Sequence, residues 1–139
     1  MDTDLLIQER EGKLLCEIIA EKGMEGFLAI EGEVNAGIVA EHTVIAPGGS
    51  AIYSEKAMQH FSEIGTVVYL HVPVTELSKR LGDLKRRGVV LKEGQSLETL
   101  FEERRVYYER YAKVTVDVTK EEIGDVLADL MQKLRPYVE

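Results

Sequence analysis

Four sets of residues in this chain have the types and spacing to do chemistry. Asp2 and Asp4 lie two apart. On an extended segment that spacing puts both carboxylates on one face. One can then order a magnesium ion through water while the other accepts a hydroxyl proton. An acidic tail or a helix cap at Asp4 uses the same residues without chemistry. Gly48 and Gly49 follow a β-branched run, Thr43-Val44-Ile45-Ala46. A turn without side chains lets a ligand reach the backbone and its N–H groups, or it is an ordinary tight turn. Arg80, Lys85, Arg86 and Arg87 form a basic stretch, and Arg104, Arg105 and Arg110 recur further on. Phosphoryl transfer needs such cations around the migrating oxygens. The alternative is a solvated helix face, since Glu102, Glu103 and Glu109 stand at pairing distance along a helix. Tyr107, Tyr108 and Tyr111 cluster at helical spacing, which favours packing, and a lone His71 at a strand end also reads as structural.

Elements that would position these groups follow from periodicity. Leu5 to Glu21 reads as a helix, weakened at Gly12, with Leu6, Leu14, Leu15, Ile18 and Ile19 on its apolar face and Gly23 as its stop. Met24 to Ala40 reads as a second helix on Phe27, Ile30, Val34 and Ile38. Thr43–Ala46 reads as a buried strand running into Pro47-Gly48-Gly49-Ser50. Ser54 is an N-cap for a helix to Ile64, closed by Gly65. Thr66 to Val72 is an apolar strand ended by Pro73. Thr75 can cap a helix through Leu84. Ser96 can cap a helix to Ala112, and Lys113 to Val118 is a further strand. Thr119-Lys120-Glu121-Glu122 fits a capping box before a last helix to about Leu134. Strands separated by helices imply a parallel sheet covered on both faces, a three-layer α/β/α arrangement with ligands at the carboxyl ends of the strands.

The 139 residues bound one domain, 1–139. A net charge of −8, from 25 acids against 17 bases, disfavours nucleic acid as a partner. No apolar run approaches a membrane span, and the acidic start argues against a secretory signal. Cys16 is the only cysteine, and His42, His60 and His71 lack metal-ligand spacing. These features point to the cytoplasm.

Taken in order, the segments resemble the shikimate kinase family, of the P-loop nucleoside monophosphate kinase type. The likeness rests on Asp2-Thr3-Asp4 before a helix, on Phe27 and Glu31, and on Val44-Ile45-Ala46-Pro47-Gly48-Gly49. It continues through Val68-Tyr69-Leu70 with Pro73, Arg80 to Arg87, and Glu103-Arg104 with Tyr108 and Ala112. The resemblance implies a P-loop kinase fold and transfer of the ATP γ-phosphoryl group to the shikimate 3-hydroxyl, with magnesium, in aromatic amino acid biosynthesis. It implies that Asp4 holds the shikimate hydroxyls and polarises the attacking oxygen, and that Asp2 helps order the magnesium shell. It implies backbone contacts to the substrate from Gly48 and Gly49, and a partner for its carboxylate in Arg104. Arg87 resembles the lid arginine that closes over the phosphates from a lid-like segment, 80–96, with Arg86 the alternative.

Departures from the family are specific. Leu28 stands where the family has an arginine, which reduces a two-arginine carboxylate clamp to Arg104. Ser50 replaces the third glycine. The family's opening strand, Gly-x-x-x-x-Gly-Lys-Ser/Thr loop and helix have no counterpart: the one Gly-Lys pair, Gly12-Lys13, runs into Leu14. That loop cradles the phosphates, so ATP binding is in doubt and the chain is expected to be inactive as it stands, by truncation or as a natural non-catalytic descendant. The absent strand would lie between Thr43–Ala46 and Thr66–Val72, leaving a slot of roughly 10 Å. Either those strands pair directly or another copy completes the sheet. Two other readings stay open, a hydroxy-acid binding module or regulatory subunit, and a fragment of a gluconate-type kinase.

Overall fold

The computed structural model describes residues 1–73, 96–118 and 122–137. The expected helix from Thr75, Arg86, Arg87, the lid-like segment apart from Ser96, and the capping box at Thr119 lie outside them.

The first expected helix is two helices. Asp2 has extended backbone, and its side chain accepts a hydrogen bond from the Asp4 N–H, which caps α1 (Thr3–Glu11). Gly12 ends α1 in the left-handed conformation, φ 67°, which a residue without a Cβ adopts at little cost. The Asp2–Asp4 segment is therefore a helix start and not an extended pair. Helix α2 (Leu15–Ala36) opens with Glu17 accepting from the Leu14 N–H. At Gly23 (φ 72°, ψ 179°) it kinks through a conformation essentially restricted to glycine, so the expected stop is a break inside a longer element. Ile7, Leu15, Ile18 and Phe27 form the core between α1 and α2, while Leu14, assigned to the apolar face, is exposed.

The expected buried strand Thr43–Ala46 shrinks to one parallel bridge, Ala46 to Asp2. Helix α1 begins at Thr3, so only Asp2 has the extended backbone to pair, and Val44 is 84% exposed. The bridge is made by the Ala46 N–H donating to the Met1 carbonyl at 2.8 Å and the Thr3 N–H donating to the Ala46 carbonyl at 3.2 Å. A short 3-10 turn, η1 (Gly49–Tyr53), follows. Helix α3 (Glu55–Ile64) is capped by the Ser54 hydroxyl at the Ala57 N–H and ends at Gly65, as its sequence predicts.

Strand β1 (Val68–His71) pairs in parallel with β2 (Val114–Asp117), in register Val68 to Val114 through His71 to Asp117. Helix α4 (Leu97–Tyr111), capped by Ser96 at the Thr99 N–H, precedes β2 in the chain. Helix α5 (Ile123–Leu134) and a last 3-10 turn (Arg135–Tyr137) complete the described chain. A second core, Ile38, Ala51, Ile52, Met58 and Phe61, takes in Ile45, Val67 and the tyrosines of α4. The α/β class holds, with a small parallel sheet among helices. The two strands expected to flank the slot do not pair with each other: Ala46 bonds toward Asp2, and β1 bonds β2.

Candidate functional site at the Gly48–Gly49 turn

Helix α2 carries an unusual stripe. Phe27, Glu31 and Asn35 fall at i, i+4 and i+8, on one helix face, and all three are buried. A buried carboxylate needs partners. Glu31 Oε1 accepts from the Ser50 hydroxyl at 2.6 Å, and Glu31 Oε2 has no hydrogen-bond partner among the described residues. Ser50 is the residue that departs from the third glycine.

The two glycines sit between opposite charges. A side-chain carbon on Gly48 would lie 3.1 Å from Asp4 Oδ1 and 3.2 Å from Glu31 Oε2. One on Gly49 would lie 2.8 Å from Arg104 Nη1 and 2.9 Å from the Tyr108 hydroxyl. Backbone without side chains is what lets both walls come this close. The Tyr108 hydroxyl donates to the Gly49 carbonyl at 2.8 Å and its ring stacks on Tyr69, centroids 5.0 Å apart. Arg104 is buried, with Cζ 5.6 Å from the Tyr53 ring centroid. Its Nε and Nη2 have no hydrogen-bond partner among the described residues. A buried guanidinium with unpaired donors beside a bare backbone turn is suited to a carboxylate ligand.

Electrostatics follow from burial. Glu31 is pushed up to about 7, chiefly by loss of solvent; the Ser50 hydrogen bond opposes this, Asp4 adds to it and Arg104 opposes it. Asp4 is raised by burial and then by the charge of Asp2, which makes it a better proton acceptor than an exposed aspartate. Burial also raises the Tyr108 hydroxyl.

The structure thus brings together Asp4, Gly48, Gly49 and Arg104 from α1, the turn and α4. Asp2 lies beside them as the helix cap, with one oxygen engaged at Asp4 N–H. The described residues do not by themselves fit a triphosphate or a magnesium ion. Gly12 is a helix end, Lys13 is ion-paired with Glu21, and no group of three or more His, Cys, Asp or Glu side chains stands ready for a metal among the described residues. Arg105 pairs with Glu102 and Glu109, at 3.1 and 3.2 Å, as a solvated helix face does. His71 lies 3.9 Å from Asp117 and edge-on to Tyr69 and Phe101, a structural setting. Leu28 packs against the first core and lines a cavity of about 430 Å³ with Ser50, Tyr53 and Ser54. Two residues of the site carried the resemblance without a site role, Glu31 and Tyr108. Glu31 was detectable as a carboxylate four residues after Phe27 on an apolar face. Tyr108 was read as packing with Tyr107 and Tyr111, and it does stack on Tyr69 while also bonding the Gly49 carbonyl.

Comparison with known proteins gives this arrangement a class. The shikimate kinase family profile matches residues 1–135. A shikimate kinase of Bacillus anthracis is 31% identical over 135 residues, covering 96% of this chain and 81% of the relative. Among solved structures, shikimate kinase from Acinetobacter baumannii in complex with shikimate superposes with a TM-score of 0.83 at 26% identity, over 99% of this chain and 79% of that one. Shikimate kinase from Aquifex aeolicus gives a TM-score of 0.78 at 29% identity, over 98% and 80%. The fold is that of the three-layer P-loop kinases, a helix-rich chain around a small parallel sheet. This chain belongs to the shikimate kinase family, whose members use ATP and magnesium. None of the described helices is long and apolar enough to cross a membrane.

Proposed function

We propose that these 139 residues form the acceptor side of a shikimate kinase site, binding shikimate or a closely related hydroxy acid, and that they do not transfer phosphoryl groups by themselves. The observation that supports this best is the Gly48–Gly49 turn, set between Asp4 on one side and Arg104 with Tyr108 on the other. In this reading Arg104 takes the ligand carboxylate and the glycine backbone allows close approach. Asp4 accepts from a ligand hydroxyl. Its raised affinity for protons makes it the base that polarises the attacking oxygen once a phosphoryl donor is in place. Asp2, whose Oδ1 caps α1, would help order a magnesium shell only if a bound nucleotide brought the ion. Arg87, or Arg86, supplies the lid cation. ATP supplies the phosphoryl group when bound, and the grip on it has to come from outside the motifs present in this sequence. A coupled kinase assay on this chain, beside a version fused to a family glycine loop, tests the reading. Turnover by the chain alone contradicts it. Calorimetry with shikimate and with ATP separately tests the acceptor half: shikimate binding without ATP binding is expected. Leu28 favours a second acceptor, a hydroxy acid of the gluconate type, because the position of the second clamp cation is apolar and faces a cavity.

A second copy of the chain completes the sheet in this proposal, in the cytoplasm. Parallel pairing sends the Val67 and His71 carbonyls to β2, so the alternate residues Val68 and Leu70 present theirs to the other edge. Leu70 there is 54% exposed, and Ile123, Leu127 and Met131 form an exposed apolar stripe on α5. Light scattering after size exclusion should give a dimer or larger species, and a monomer across the working concentration range would refute it.

A further inference from the structure

The departure at Leu28 leaves a buried carboxylate, Glu31, next to the site proposed to bind a ligand carboxylate. Leu28 lies one helical turn before Glu31 and supplies no cation. Glu31 is 2% exposed, its Oε1 is tied to the Ser50 hydroxyl, and its Oε2 points at the Gly48 backbone without a hydrogen-bond partner among the described residues. Asp4 Oδ1 borders the same glycine. Among the described residues the turn itself is therefore bordered by two carboxylates and one guanidinium, while Glu33 and Lys56, of opposite charge, line the cavity beside Leu28 and Ser50. An incoming anion makes three negative groups against one positive group in a desolvated space, and such sites relieve the excess by binding a proton at the most buried carboxylate.

We propose that binding of a carboxylate ligand at Arg104 is coupled to uptake of one proton by Glu31. The inference rests on the reading of Arg104 as the carboxylate partner. The proton comes from solvent and ends on Glu31 Oε2, forming one O–H bond; the ligand stays anionic and pairs with Arg104. Neutral Glu31 then keeps Oε1 as acceptor for Ser50 and gains a donor facing the turn. In the free site burial puts the Glu31 midpoint at about 7, so the carboxyl is mostly neutral at pH 6 and mostly ionised at pH 8. Among the described residues the groups that face Glu31 are Asp4 from α1, Ser50 from η1, and Arg104 with the Tyr108 hydroxyl from α4. Helix α3 brings Glu55, Lys56 and Glu63 on its exposed side, and His60 with Nε2 at the Ile38 carbonyl. Thus a proton on Glu31 takes the place of the missing second cation, against the Ser50 hydrogen bond, which favours the anion.

Shikimate is the probe, titrated calorimetrically at pH 6 in MES and at pH 8 in HEPES and in Tris, whose ionisation enthalpies differ. With a midpoint at about 7, affinity should fall about tenfold from pH 6 to pH 8, and uptake at pH 8 should be about 0.9 proton per ligand. Glu31→Gln, shown folded by circular dichroism, should bind with the same affinity at both pH values and no uptake. Ser50→Ala removes the hydrogen bond that favours the anion, so the affinity fall should move to higher pH. Carbon-13 resonances of the Glu31 carboxyl in the free protein give the midpoint without any ligand. Shikimate bound equally at both pH values without uptake overturns the inference and leaves the acceptor-site reading standing. Uptake that persists in Glu31→Gln, or a free Glu31 midpoint at the ordinary glutamate value, also overturns it. Absence of shikimate binding at both pH values overturns the inference and the acceptor-site reading together.

Discussion

Gly49→Ala is the sharpest perturbation the site offers. The added carbon would stand 2.8 Å from Arg104 Nη1 and 2.9 Å from the Tyr108 hydroxyl, both nearer than real side-chain carbons approach. Neither neighbour is free to swing away. Arg104 is buried and Tyr108 is stacked on Tyr69. The least damaging response breaks the 2.8 Å bond from Tyr108 to the Gly49 carbonyl and moves the guanidinium off its axis. Loss of one neutral hydrogen bond destabilises the fold by about 1 kcal/mol. A misplaced guanidinium forfeits a charge-assisted bond to the ligand carboxylate of about 1.5–3 kcal/mol, or roughly a 10- to 100-fold weaker shikimate complex. Calorimetry with shikimate reads the affinity, and urea unfolding reads the stability. Gly65→Ala is the control, because its added carbon meets only the Phe61 carbonyl at an ordinary 3.9 Å and the backbone there is extended. Shikimate affinity unchanged in Gly49→Ala, with the fold intact, would refute the placement of the ligand against this turn.

Other expectations follow from the same geometry. Arg104→Lys keeps the charge but loses the planar fork, and calorimetry should show shikimate affinity falling about tenfold or more. Glu31 binds its proton more tightly folded, at about 7, than unfolded, at 4.5, so stability should fall as pH rises between those values and level off above. The fall should be on the order of 3 kcal/mol, and urea unfolding at pH 5 and pH 8 should show it in the parent and largely abolish it in Glu31→Gln. Gly12→Ala forces a Cβ into the left-handed cap and should cost about 1 kcal/mol in thermal unfolding, with shikimate affinity unchanged. Gly32→Ala would put a carbon 2.8 Å from the Ser54 hydroxyl that caps α3, so unfolding should show both α2–α3 packing and that cap weakened.

The two helices with serine caps were legible in the sequence, as were both strands of the sheet, whereas α1, capped by Asp2, was merged with the next helix. Ser54 and Ser96 each precede a helix whose first N–H groups their hydroxyls accept from, and both helices start where the sequence places them. Such caps act within one turn and need no tertiary partner. Gly12 misled because a single glycine inside an apolar periodicity is tolerable in a helix, and only the start of α1 at Asp2 shows that a stop was needed. Thr43–Ala46 misled for the opposite reason. Its β-branched residues fit a strand, but a strand exists only against a partner, and one residue, Asp2, is all that α1 leaves. Asp4, Gly48, Gly49 and Arg104, singled out by type and by the resemblance, do meet at one turn. Glu31 was not given a role, because its burial depends on which face of α2 meets the η1 turn, and that is a long-range contact.

The split between the bridge at Ala46 and the sheet of β1 and β2 explains why the candidate site survives without a continuous sheet. Asp4 is fixed by α1, whose cap is Asp2 and whose inner face packs on α2. Glu31 is fixed by α2, and Ser50 ties it to η1. Arg104 and Tyr108 are fixed by α4, which reaches η1 through the Gly49 carbonyl and reaches β1 through the Tyr108–Tyr69 stack. The Gly48–Gly49 turn is thus bordered by Asp4 of α1, tied to α2 through Ser50 and Glu31, and tied to α4 through the Gly49 carbonyl and Tyr108. Under the proposed function these contacts preorganise acceptor recognition, while the phosphoryl-donor side depends on what pairs with the outer edge of β1. A measured shikimate affinity that changes with protein concentration, in step with assembly, would show instead that the edge and the turn are one mechanical unit.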